Sequence, residues 1–186
     1  KKTPTFTTKY LFIYQQTQPA IYQASSEEVE KSSVLNQKDF TRAKETIKFI
    51  KDKKWNSALK SASKVKDREF RNLITWMYLK TTRNGASFSE YKKFIEQNED
   101  YPRINRIRYL AEEKIYLKNN YPTSIINSIE KYPPIGGIGK IKLAEAYLEK
   151  GQTDKVRTLM KEGWETAKIS KNDLGYYRAK FKKFID

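Results

Sequence analysis

The sequence predicts an all-α protein, a stack of antiparallel helix pairs preceded by an extended N-terminal arm, and three observations predict it. Apolar residues recur at spacings of three and four from Phe40 onward, no alternating strand pattern survives in that stretch, and the breaks between periodic runs are short. At 186 residues the chain is long enough for a real core.

Residues 1–39 read as the arm. They are rich in Thr, Gln, Ser and Tyr, carry Pro4 and Pro19, and lack helical periodicity for most of their length. A short helix is expected around Ser26 to Leu35, where Ser25, Ser26 and Glu28 can cap. The apolar run Tyr10 to Tyr14 is expected to lie against the rest of the domain or a neighbour.

Residues 40–186 read as the helical domain. Phe40, Ala43, Ile47 and Ile50 mark one buried helical face, and Trp55, Ala58, Leu59, Ala62 and Val65 a second. Phe70, Leu73, Ile74 and Met77 mark a third, with Asn84-Gly85 as its left-handed stop. Ser87 opens a fourth, with Glu90 three residues on as in a capping box. Pro102 and Pro122 suit the first turns of a fifth helix (Ile104, Ile107, Ala111, Ile115) and a sixth (Ile125, Ile126, Ile129). Beyond the breaker Tyr132-Pro133-Pro134-Ile135-Gly136-Gly137 come a seventh helix (Ile141, Ala144, Tyr147, Leu148), an eighth (Val156, Leu159, Met160, Trp164) and a ninth (Leu174, Tyr177, Phe181, Phe184). Trp55, Trp76 and Trp164 are expected as core anchors.

Helix pairs begin near Arg68, Pro102 and Gly139, close to the period of about 34 residues of tetratricopeptide repeats. Leu143, Ala144, Tyr147 and Gly151 follow that repeat's first helix and turn, while the second helix fits poorly. The expected product is a tetratricopeptide-like superhelix with a concave face.

Composition narrows the chemistry. The chain has 38 Lys and Arg against 22 Asp and Glu, a net charge of +16, and neither His nor Cys. That excludes Ser-His-Asp and Cys-His nucleophiles and every metal site built on imidazole or thiolate. Neighbouring carboxylates such as Glu112-Glu113 and Glu99-Asp100 point about 100° apart on a helix and are expected on solvated faces. Glu145 lies beside a core line and is expected to meet solvent or a local lysine, Lys142 or Lys150. No catalytic residue, metal ligand or cofactor site is expected.

Gly136, Gly137 and Gly139 do not make a phosphate loop, because no strand precedes them and Gly139-Lys140 is followed by Ile141. They read as a linker between helical hairpins, with Lys140 and Lys142 at a helix N-terminus that favours an anion. Arg103 and Arg106 share an exposed side of the fifth helix, either as a solvated face or as a docking surface for a polyanion, while Arg108 points elsewhere. Nucleic acid is not expected as a partner, since no binding motif is present and the aromatics sit at core spacings. Codon usage is a competing source of the charge, because Lys, Ile, Asn and Tyr are all abundant.

Several segments, taken in order, resemble the N-terminal superhelical (U-type) domain of soluble lytic murein transglycosylases. They are Trp55-Asn-Ser-Ala-Leu59, Ile74-Thr-Trp-Met-Tyr-Leu79, Gly85-Ala-Ser-Phe88 leading into Phe94-Ile95, and Asn98-Glu-Asp-Tyr-Pro102. They continue through Ala111-Glu-Glu113, Tyr132-Pro-Pro134, Leu143-Ala-Glu-Ala-Tyr-Leu148, Gly151 and Gly163-Trp164. The resemblance implies a helical support for a lysozyme-like catalytic domain elsewhere in the same parent protein, a peptidoglycan lytic transglycosylase. The Glu-Ser pair and the Gly-Leu-Met-Gln stretch of that catalytic domain are absent from this sequence. The implied role is therefore non-catalytic: orienting peptidoglycan for cleavage, with Arg103, Arg106, Lys140 and Lys142 as candidate contacts chosen on charge and helix position. The implied location is the periplasm, and since the first residue is Lys1, an export signal is expected to have been removed. The chain has no apolar run long enough to span a membrane. The alternative is a helical-repeat adaptor for a protein partner.

Overall fold

The computed structural model describes residues 31–185, and every regular element among them is a helix. Most of the arm, including Tyr10 to Tyr14, lies outside the described residues. The chain divides into two compact units at Asn84/Gly85.

The first unit holds α1 (Gln37–Lys51), α2 (Trp55–Ala62) and α3 (Arg68–Lys80), with α2 packed on both others. Of the helix expected around Ser26 to Leu35, the described part is a turn, because Ser32 Oγ accepts from Val34 N and Leu35 N. Helix α1 starts where Asn36 caps Asp39 N at 3.0 Å. The Asp39 carboxylate is itself buried and accepts from Lys66 N at 3.0 Å, so a single acid ties the start of α1 to the loop after α2. Ala43, Ile47, Ile50, Ala58, Ala62, Phe70, Leu73, Ile74 and Met77 are buried, as the periodicity predicts. Trp76 is buried and Trp55 half-buried.

Helix α3 ends differently from expectation. The left-handed residue is Arg83, with φ 57°, and not Asn84 or Gly85. Asn84 instead turns its side-chain amide back to donate to the carbonyls of Tyr78, Leu79 and Thr81, which satisfies orphan acceptors at the helix end.

The second unit holds α4 (Phe88–Gln97), α5 (Ile104–Glu113), a 3-10 turn (Leu117–Asn119), α6 (Pro122–Lys131), α7 (Gly137–Glu149), α8 (Thr153–Gly163) and α9 (Lys171–Ile185). Ser87 and Glu90 form the expected capping box on α4, and Pro122 opens α6. Pro102, by contrast, precedes α5 and does not enter it: Arg103 adopts φ 57° as the N-cap, so the helix begins at Ile104. Gly151, with φ +71°, makes the turn between α7 and α8 at a position where a Cβ would be strained.

Helix α7 is the centre of this unit and packs against α5, α6 and α8. It is buried almost all round from Gly137 to Tyr147, as a helix without a polar face must be. Ile125, Ile141, Val156, Met160 and Phe181 are completely enclosed around it. Each such side chain contributes roughly 1.5–3 kcal/mol of transfer free energy. No helix among the described residues is long and apolar enough to cross a membrane.

Candidate functional site

The start of α7 is built around a carboxylate from another helix. Glu112, near the end of α5, is only 6% exposed, and its carboxylate accepts from Ile135 N at 2.5 Å and Gly136 N at 2.9 Å. The expectation of a solvated Glu112 is thus corrected: the acid caps the N-terminus of α7, where a helix dipole favours negative charge. Burial pushes its carboxyl above the usual range, while the N–H groups of Ile135, Gly136 and Gly139 and the nearby Arg108 pull the other way.

The glycines are explained by close approach. A Cβ on Gly139 would fall 2.8 Å from Glu112 Cγ, and one on Gly137 would fall 2.5 Å from Gly163 O on α8. The expected linker is therefore the first turn of α7 itself, with Gly137 and Gly139 inside the helix.

Beside this turn lies a groove of about 540 Å³ whose wall includes Arg106, Tyr109, Gly136, Lys140, Glu162 and Lys168. Helix α5 contributes Arg106 and Tyr109, α7 contributes Lys140, and α8 with the loop after it contributes Glu162 and Lys168. Lys140 Nζ donates to Glu162 Oε2 at 3.0 Å. The Arg106 guanidinium lies over the Tyr109 ring, 5.4 Å from its centre. Three cations and one acid leave the wall net positive.

The four candidate contacts therefore separate. Arg106 and Lys140 meet in the groove, while Arg103 is exposed but does not line it. Lys142 is corrected outright as a surface contact: it is 4% exposed, donates to the carbonyl of Ile115 and to Glu113 O at 3.4 Å, and sits 3.9 Å from the centre of the Tyr116 ring. It closes the C-terminal end of α5, where a cation complements the orphan carbonyls. Burial lowers its pKa to about 8, against the attraction of Glu145, Asp173 and Glu113.

Glu145 is another correction. It is buried and takes neither Lys142 nor Lys150 as a hydrogen-bond partner; it accepts from Tyr176 Oη and from Lys180 Nζ at 2.9 Å, both on α9. Lys180 also reaches Glu149 at 2.9 Å, so the cluster straps α9 to α7. Arg108 does point away from the groove, donating to Pro133 O at 2.8 Å.

Nothing in the sequence marks Tyr109, Glu162 or Lys168. Lys168 follows α8 in an irregular segment, where periodicity carries no information, and Glu162 looks like any exposed helical acid. No group of three or more carboxylates among the described residues is placed to hold a metal ion. The chain matches no known protein family, no curated protein and no solved structure.

Proposed function

We propose that this chain is a non-catalytic helical module that holds an anionic cell-wall polymer, peptidoglycan, for a catalytic domain carried by the same parent protein, in the manner of the helical part of soluble lytic transglycosylases. The observation that carries the reading is the groove, which gathers Arg106, Lys140 and Lys168 around the start of α7. A concave, positively lined wall concentrates a polyanion and fixes its approach, and peptidoglycan is anionic through the carboxylates of its peptides. In this reading Arg106 and Lys140 are contacts, Arg103 adds charge nearby on the same helix, and Lys142 is structural.

The proposal includes a tetratricopeptide-like superhelical arrangement of the helix pairs and a periplasmic location. Support for the arrangement is the packing of successive helices on one another within each unit, α1 on α2, α4 on α5 and α7 on α8.

Retention on purified sacculi at two salt concentrations tests the function. Retention at low salt that weakens steeply at about 0.5 M salt, where screening is tighter than the ~8 Å of physiological conditions, is the expected result. No retention at low salt contradicts it and favours a protein-binding adaptor. Release of anhydro-muropeptides by the chain alone would contradict the non-catalytic role.

A further inference from the structure

The three cations of the groove are not equivalent. Lys140 is compensated by Glu162 at 3.0 Å. Arg106 and Lys168 have no carboxylate within ion-pair distance among the described residues. Arg106 is directed over Tyr109, which is the aromatic ring of this wall. Tyr109 also lies close against Gly136, where an added Cβ would fall 2.8 Å from Tyr109 Cε2. The guanidinium thus occupies one face of the ring, and a neutral sugar in the groove would leave the charges of Arg106 and Lys168 without a counter-charge.

What the wall offers instead is two uncompensated positive charges, one of them a planar fork suited to a carboxylate. Its volume of about 540 Å³ is within the range of about 300–1,000 Å³ in which small ligands are enclosed. We propose that the groove recognises an acidic peptide bearing two carboxylates, one seated on Arg106 and the other on Lys168, and not the sugar backbone of the polymer. This rests on the polymer-holding reading and names the part of the polymer that is held. The Lys140–Glu162 pair then acts as a spacer: it keeps the net charge of the wall at two and repels a third carboxylate.

Calorimetric titration of the full chain with N-acetyl-alanyl-glutamate, with its diamide and with N-acetylated chitotetraose tests the proposal. The dicarboxylate is expected to bind in a salt-sensitive manner, the diamide about tenfold or more weakly, and the neutral sugar not measurably. Arg106→Gln and Lys168→Gln are each expected to weaken the dicarboxylate about tenfold while leaving the helical circular dichroism and melting temperature unchanged. Equal binding of the sugar, or undiminished peptide binding by both variants, overturns the proposal. Sacculus retention reports on the other reading: sacculi held while the dicarboxylate fails to bind defeats the peptide proposal alone. A bound dicarboxylate with no retention of sacculi defeats the polymer reading alone.

Discussion

Lys142 and Glu112 are buried charges where the end of α5 meets the first turns of α7, the lysine on the carbonyls of Glu113 and Ile115 and the acid on the N–H groups of Ile135 and Gly136. Lys142 leaves a signature in pH. Its folded-state pKa of about 8 lies below the ordinary lysine value, so between the two the unfolded chain binds more protons and stability rises with pH. Burial raises the pKa of Tyr147, Tyr176 and Tyr177, so these groups act in the opposite sense and lower stability once pH passes about 10. Urea unfolding should therefore show stability climbing from about pH 8 and peaking near pH 10, and Lys142→Met should abolish the climb. An unchanged climb in that variant would place its origin elsewhere. Neither burial was legible in the sequence. Lys142 and Glu112 each sit beside apolar positions, but their partners lie more than twenty residues away, and periodicity reports a face without reporting what packs on it.

At the level of elements, the helices themselves were legible because a buried face imposes its spacing directly on the chain. Ile107, Ala111 and Ile115, or Tyr177 and Phe181, are buried at the intervals the sequence displays. Ends were less so. Arg83 and Arg103 both take left-handed backbone conformations that are more usual for Gly or Asn, and nothing in their residue types marks them for it. The glycines of α7 were visible as a cluster but misleading as a linker, since what they answer is the nearness of Glu112 and α8. Gly137→Ala and Gly175→Ala separate these roles. The first forces a Cβ against the backbone of Gly163 and Ala167 and should destabilise by about 1–3 kcal/mol. The second meets nothing within 4 Å in α9 and should stabilise by up to about 1 kcal/mol, through helix propensity. Thermal melts of the two variants check both signs.

For the whole molecule, a net charge of +16 would attract any polyanion, and this is why composition alone could not choose between a binding surface and codon usage. The groove makes the choice testable, because it concentrates part of that charge in one concavity whose residues come from three helices and a loop. Arg106 and Lys140 were accessible to sequence reasoning through their helix positions; Lys168 was not, since only folding brings it to them. The most direct measurement holds net charge constant and moves the position of the loss. Sacculus retention at low salt is compared for Arg106→Gln/Lys168→Gln in the groove and for Lys182→Gln/Lys183→Gln, two exposed lysines near the end of α9 that do not line it. A specific groove predicts about tenfold or greater loss for the first pair and little for the second. Equal losses in the two would reduce the interaction to bulk charge and contradict the assignment of the groove.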